Sequence, residues 1–177
     1  VRVETYDMYA EGDVRRDATC WDVRGVTYTE RYQDTHIWLA KYRPFTENNK
    51  DAGFDNNLNY NNNYRYYRYA ETLLNAAELS VRTGGGNAAT YLNEVRSRAG
   101  LGNIDATIDN IIEERHLEFV GEGKRYWDLV RSGKAASVLV PDQYGYRTNA
   151  WTESKKYIPI AQAEIDAAQG TLVQNNY

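Results

Sequence analysis

The apolar residues in the second half of the chain recur every three or four positions, which is the spacing of an amphipathic helix. A first stripe begins near Tyr66 and ends at three consecutive glycines, 84–86, which cannot continue a helix cheaply. Asn87 opens a second stripe, and Gly100 follows its last apolar position as a C-terminal cap. The pattern predicts an antiparallel pair of helices joined by a short turn.

A third stripe ends near Val120, and either Asp105 or Thr107 can cap its beginning. Gly121 and Gly123 then interrupt the helical pattern. A second helical hairpin is therefore expected to begin with this third helix.

The fourth helix is predicted over 124–133, and its pattern allows residues 135–140 to prolong it. Trp127 occupies an apolar-stripe position, so we expect it in the core. Further on, residues 157–159 are expected to be extended and residues 162–168 to form a last short helix.

Residues 1 to about 65 lack sustained helical periodicity. β-branched and aromatic residues mixed with polar ones over 21–26 and 28–42 predict short strands between long loops. The segment 54–64 holds six asparagines in eleven residues, which predicts a loop. Its interleaved aromatic residues leave open whether the loop is ordered or disordered. The expected fold class is mainly α, with helical hairpins, long loops and a few short strands.

Five segments, taken together and in this order, resemble the SusD/RagB family. They are GDVRRDAT (12–19), RYAETLLNAAEL (68–79), YLNEVRSRAGL (91–101), EERHLEFVGEGKRYWDLVRSGKA (113–135) and YIPIAQAEID (157–166). The resemblance covers nearly the whole chain. No single segment is specific, but their sequential combination is.

The resemblance implies a SusD-like fold with helical hairpins of the tetratricopeptide type. It makes residues 1–177 the C-terminal domain of a longer protein, with the N-terminal repeats outside this chain. Within the domain we expect a loop and short-strand part over 1–65, helical hairpins over 66–135, and a loop with a short helix over 136–177. The implied protein is a lipoprotein at the surface of the outer membrane. It would bind an oligosaccharide, or in some members a peptide, and deliver it to a TonB-dependent transporter.

Charge and hydropathy exclude several partner classes. The net charge is −4, and no run of lysine and arginine forms a basic stripe, which argues against nucleic acid. The sequence contains no stretch of eighteen consecutive apolar residues that could span a bilayer. We therefore expect membrane attachment only through a lipid anchor outside this chain. The single cysteine, Cys20, is expected to be a small buried residue.

Structural roles explain the charged residues and the histidines better than catalytic roles do. Alternating charges three and four residues apart within the helices could form an acid/base array, but ion pairing explains them better. No carboxylate lies in a recognisable glycosidase motif, so we expect no enzymatic activity. His36 and His116 lack a second ligand at zinc spacing, and no cofactor motif is present. The acidic and amide-rich run 51–57 fits a solvated loop better than a calcium site.

Aromatic residues outside the helices are the candidates for ligand binding. Sixteen tyrosines and four tryptophans stand against three phenylalanines. Tyr and Trp combine a flat apolar face with a polar tip, which suits contact with sugar rings, and loops on a rigid scaffold can present them. For each one, packing is the alternative role. The candidate ligand-binding residues are Trp21, Tyr28, Arg31, Tyr32, Trp38, Tyr60, Asn62, Tyr64 and Trp151.

A different function also fits the pattern. The chain could be a helical-repeat scaffold whose grooves bind a protein or peptide, or a peptide-capturing member of the same family.

Overall fold

The computed structural model describes residues 1–43 and 63–177. The helices and strands of these residues are α1 (Val3–Asp7), α2 (Arg15–Thr19), β1 (Cys20–Asp22), β2 (Ile37–Leu39), α3 (Tyr69–Thr83), α4 (Ala88–Arg98), α5 (Ile108–Glu118), α6 (Arg125–Arg131), α7 (Ala135–Val138), a 3-10 helix (Glu153–Lys156) and α8 (Gln162–Ala167). The expected mainly helical class with a few short strands is confirmed. No helix in the described part is long and apolar enough to cross a membrane.

The hairpin of α3 and α4 forms the main core. α3 ends at Thr83 and is capped by Gly84, which has φ of +74° and donates its N–H to the carbonyl of Ser80, as the glycine run predicts. The main core cluster combines Leu74 of α3 with Leu92 and Val95 of α4, and Ile111 of α5 packs into it. The periodicity therefore predicted both helices and most of their inner faces, although Tyr69 at the start of the first stripe is 67% exposed.

The start of α5 settles which residue caps it. The hydroxyl of Thr107 accepts a hydrogen bond from the N–H of Asn110 at 3.1 Å, so Thr107 is the N-cap rather than Asp105. After α5 the chain turns through Gly121 and Gly123, which have φ of +79° and +71°. These positive values fit glycine and interrupt the helix where the sequence predicts it.

Residues 1–43 contain two helices that the sequence did not predict. α1 and α2 have five residues each, which is too short for an apolar stripe to repeat. Tertiary contacts hold this region instead, since the hydroxyl of Tyr9 donates to the carbonyl of Leu117 at 2.9 Å. Cys20 is buried beside Tyr9 and Ile37, as expected for a small packing residue.

The described residues divide into two compact units, Val1–Arg125 and Tyr126–Tyr177. Within the second unit, Leu129, Ala135, Leu139 and Trp151 form a small core. Gly133 has φ of +74°, which separates α7 from α6, so residues 135–138 do not prolong the fourth helix.

The prediction that Trp127 lies in the core is wrong, because this residue is 45% exposed. Tyr126 and Val130 pack against the core residue Leu129 at helical spacing. Trp127 lies two residues before Leu129, or about 200° around the helix, and therefore on the other face.

Candidate functional site

Three aromatic rings group on the exposed face of the two-stranded sheet. Trp21 pairs with Trp38 across the antiparallel strands. Their rings meet edge to face, with centroids 5.6 Å apart and planes at 88°. Tyr28, in the connection between the strands, meets Trp38 in the same manner at 4.9 Å and 75°. Trp21, Tyr28 and Trp38 are called the aromatic cluster below.

Strand alternation explains why the cluster faces solvent. Cys20 and Ile37 point into the core, so their neighbours Trp21 and Trp38 point to the opposite face. Trp21 is 40% exposed and Trp38 is 37% exposed. Large aromatic surface left open in this way is typical of a recognition site.

Asp34 places a carboxylate beside the aromatic cluster. Its Oδ1 accepts from the backbone N–H of His36 at 2.9 Å and from Nε1 of Trp38 at 3.2 Å. The hydrogen bond from the His36 backbone lowers the pKa of the Asp34 carboxyl, with a smaller contribution from Trp38. The side chain therefore stays ionised and can accept further hydrogen bonds.

His36 and Arg43 complete the surroundings of the aromatic cluster. The hydroxyl of Tyr28 shares a hydrogen bond of 2.7 Å with Nδ1 of His36, which holds the Tyr28 ring in place. The guanidinium of Arg43 lies 4.8 Å from the centroid of the Trp21 ring, a cation–π distance. The site thus combines ring faces with an acceptor carboxylate and a cationic donor.

A second polar feature of the first unit is a buried network of ion pairs around Arg15. Its guanidinium contacts Asp13 at 2.7 Å, Glu114 at 2.6 Å and Glu118 at 3.1 Å. All four side chains are at least nine-tenths buried. We call this group, together with Arg68, Lys41 and Glu122, the buried ion network.

Arg68 and Lys41 extend the buried ion network past the end of α5 to Glu122. Arg68 bridges Glu118 and Glu122 at 2.8 Å each, and Lys41 contacts Glu122 at 2.7 Å. Burial raises the pKa of Glu122, but the hydrogen bonds from Arg68 and Lys41 outweigh it and leave the pKa below its ordinary value. A general acid needs the opposite shift, so the geometry supports ion pairing rather than acid/base chemistry.

The model of the SusD family matches residues 15–177. The chain belongs to the SusD family. Its structure is similar to surface glycan-binding protein A from Bacteroides thetaiotaomicron, at 62% identity and a TM-score of 0.92, covering 100% of this chain and 41% of that one. The same protein has been solved in complex with laminarihexaose.

Two further relatives agree with this placement. Surface glycan-binding protein A from Bacteroides uniformis is 63% identical with a TM-score of 0.88, over 99% of this chain and 40% of that one. SusD-like protein P2 from Formosa agariphila is 29% identical over 98% of this chain and 39% of its own. The chain therefore spans about two fifths of the length of these relatives. The expected SusD-like fold is confirmed.

The remaining candidates from the first half of this SusD-family chain lie in different surroundings. Arg31 is exposed and Tyr32 is 92% exposed, so the Tyr32 ring stands in solvent rather than in the aromatic cluster. Tyr64 stacks on Tyr42, with centroids 5.5 Å apart and planes at 24°. Its hydroxyl donates to the carbonyl of Glu122 at 3.3 Å. Tyr60 and Asn62 lie outside the described residues, as does the 51–57 run.

Trp151 lies in the core of the second unit, where it is only 8% exposed. Its Nε1 donates to the hydroxyl of Tyr126 at 3.2 Å. The ring is therefore packed in the core and its N–H is hydrogen-bonded within the protein, so we do not include Trp151 in the proposed site.

Sequence reasoning missed Asp34 and Arg43 as neighbours of the aromatic cluster. His36 has φ of +58°, and this turn brings Asp34 back towards Trp38. No residue pattern signalled it.

Proposed function

We propose that this chain is part of a cell-surface protein that binds an oligosaccharide without cleaving it, and that the aromatic cluster contacts the ligand. The observation that carries the proposal is the exposed group of Trp21, Tyr28 and Trp38, flanked by Asp34 and Arg43. A relative 62% identical to this chain is named a surface glycan-binding protein and has been solved with laminarihexaose.

The chemistry of the aromatic cluster suits a sugar chain. The C–H faces of sugar rings stack on Trp and Tyr rings, while hydroxyl groups need a nearby acceptor and donor. Asp34 supplies the acceptor and Arg43 the donor. The ring planes are close to perpendicular, at 88° and 75°. The rings therefore offer differently oriented apolar surfaces to a sugar chain.

Binding without turnover is part of the proposal. SusD-family glycan-binding proteins are non-enzymatic. In this chain Glu118 and Glu122 hold ion pairs with Arg15, Arg68 and Lys41. Glycoside hydrolysis needs one carboxyl group with a raised pKa, and ion pairing works against this.

Delivery to a transporter completes the proposal. We infer that the complete protein is anchored by lipid at the outer-membrane surface and delivers its ligand to a TonB-dependent transporter. Co-purification of such a transporter with the tagged complete protein from detergent-solubilised outer membranes is the expected result. Recovery of the protein without any outer-membrane transporter would contradict this part.

Calorimetric titration of the complete protein tests the binding function. Laminarihexaose should bind and should be recovered intact, with no new reducing ends after prolonged incubation. Mixed hexapeptides serve as the comparison ligand. Binding of peptides but of no oligosaccharide would instead favour the peptide-binding alternative, and release of reducing ends would refute binding without turnover.

A further inference from the structure

The first unit contains a cavity of about 260 Å³ that the aromatic cluster does not line. It is surrounded by parts of α2, α5, the end of α4 and the segments that precede α3. Among the described residues that line it, five are cationic: Arg15, Lys41, Arg65, Arg68 and Arg98. Only two, Glu118 and Glu122, are acidic. Asp13 and Glu114, which do not line the cavity, also pair with Arg15, so five cations face four carboxylates and a small excess of positive charge remains.

The two carboxylates of the cavity are already engaged by several cations. Oε1 of Glu118 accepts from Arg68 at 2.8 Å and from Arg98 at 2.6 Å, while its Oε2 accepts from Arg15 at 3.1 Å. Glu122 accepts from Lys41 at 2.7 Å and from Arg68 at 2.8 and 2.9 Å. Each acid thus faces more than one positive charge.

Two arginines retain donors that the carboxylates do not use. Arg98 contacts Glu118 through Nη2, and its side chain is 59% exposed. A guanidinium has five N–H donors. Arg65 also lines the cavity and is exposed, and in the described ranges 1–43 and 63–177 it makes no ion pair. Both guanidinium groups are available to an incoming acceptor.

The chemistry of this lining selects an oxyanion. The planar guanidinium fork matches the oxygens of a carboxylate or sulfate, and charge-assisted hydrogen bonds of this kind are stronger than neutral ones. Pockets for drug-sized ligands have volumes of about 300–1,000 Å³. The cavity, at about 260 Å³, is slightly smaller and has room for one charged group or one sugar residue.

We propose that this cavity is a second ligand site, which binds one oxyanion group, a carboxylate or a sulfate, through Arg65 and Arg98. The group can belong to a free ion or to an acidic saccharide. The site goes beyond the binding of a neutral oligosaccharide by the aromatic cluster and does not depend on it.

Calorimetric titration of the complete protein at low ionic strength tests this site with four compounds: sodium sulfate, sodium acetate, glucuronic acid and glucose. Sulfate and glucuronic acid should bind, whereas glucose, which lacks the charge, should not. Binding of sulfate alone would restrict the site to sulfate groups. Sodium acetate, a free carboxylate, is compared with glucuronic acid: equal binding of both would assign the site to any carboxylate, and binding of glucuronic acid alone to acidic saccharides. Absence of binding by all three anions would overturn the proposal.

Arginine substitutions test whether the anion binds in this cavity. The double substitution Arg65→Gln and Arg98→Gln should weaken anion binding at least tenfold. Arg82→Gln is the matched control, because Arg82 is an exposed arginine that pairs with Glu78 of its own helix and does not line the cavity. It should bind the anion like the unmodified protein. Equal losses in both proteins, or none in the double variant, would refute the assignment.

Far-UV circular dichroism and cooperative thermal unfolding will show that the variants are folded. If the double variant does not fold, Arg65→Gln alone decides, since Arg65 has no part in the buried ion network. This single variant should weaken anion binding several-fold, and unchanged anion affinity would contradict the proposal. Because laminarihexaose is neutral, failure of the anion site and failure of the proposed glycan binding give separate results.

Discussion

Trp21 and Trp38 lie opposite each other on the two strands of the sheet, and their rings meet edge to face with centroids 5.6 Å apart. An edge-to-face pair contributes about 0.5–1.5 kcal/mol beyond the area it buries. The contact therefore fixes each ring in place while leaving 40% and 37% of these residues exposed. Rigid aromatic surface lowers the entropic cost of binding a ligand.

Removal of the Tyr28 hydroxyl tests whether the position of the Tyr28 ring matters for ligand binding. Tyr28→Phe keeps the ring beside Trp38 but removes the 2.7 Å hydrogen bond to His36. This hydrogen bond is present with and without ligand, so its contribution of about 0.5–1.5 kcal/mol limits the effect of releasing the ring. Laminarihexaose affinity of the complete protein should fall about twofold, and by no more than about tenfold, by calorimetry. Tyr32→Phe, at a residue 92% exposed, is the control and should bind normally. Equal affinities for both variants would count against a positioning role for the hydroxyl.

Alanine substitutions at the two glycines after α5 distinguish the cost of backbone strain from the cost of steric contact. Both have positive φ, so Ala should cost about 1–2 kcal/mol of unfolding free energy at either position. A Cβ at Gly121 would lie 2.6 Å from Cδ2 of Leu39, whereas a Cβ at Gly123 meets nothing within 4 Å. Gly121→Ala should therefore lose about 1 kcal/mol more than Gly123→Ala in urea unfolding. Equal losses would mean that Leu39 rotates away freely.

Substitutions of two adjacent arginines compare the contribution of the buried ion network to stability with that of a surface ion pair. Arg15→Ala removes the partner of Asp13, Glu114 and Glu118 and leaves buried carboxylates with fewer cations. The expected loss is about 3–5 kcal/mol of unfolding free energy. Arg16→Ala removes an exposed pair with Asp17 and should change stability little. Denaturant unfolding of both variants checks this, and similar stabilities would contradict a structural role for the network.

His116 should make stability fall in mild acid. Burial, with a smaller contribution from the charge of Arg125, lowers its pKa to about 4. Its buried Nδ1 has no hydrogen-bond partner among the described residues. An unfolded histidine has a pKa of about 6.5, so between about pH 6.5 and 4 the unfolded chain binds a proton that the folded chain does not. This group alone should lower the unfolding free energy by about 2–3 kcal/mol between pH 7 and 4.5.

Unfolding at both pH values in His116→Asn tests this linkage. The variant should lose that part of the pH dependence. His36→Asn is the control, because His36 is partly exposed and Asn tolerates its positive φ. An unaltered pH dependence in His116→Asn would show that other groups control the acid response.

Local sequence signals predicted the elements that are stabilised locally. The apolar stripes of α3, α4 and α5 and the glycines that end them lie within continuous segments, so periodicity and capping gave their positions to within a few residues. The five-residue helices α1 and α2 could not be predicted because contacts distant in sequence hold them, such as that of Tyr9 with Leu117.

Burial of individual aromatics was the least predictable property. Trp127 has helical spacing but is exposed, whereas Trp151 lies in a polar segment but is buried. Which ring is covered depends on the residues that pack around it, and these come from distant parts of the chain. For the same reason the sequence proposed Trp21, Tyr28 and Trp38 separately, while their grouping depends on the strand register.

Trp38 provides the most direct test of the proposed function. Calorimetric titration with laminarihexaose should compare the complete protein with its Trp38→Ala and Trp127→Ala variants. Both tryptophans are exposed, at 37% and 45%, but only Trp38 belongs to the aromatic cluster. Loss of a stacked tryptophan should weaken binding at least about tenfold, or about 1.4 kcal/mol, in Trp38→Ala alone. Unchanged affinity in Trp38→Ala, or an equal loss in Trp127→Ala, would contradict binding at the aromatic cluster.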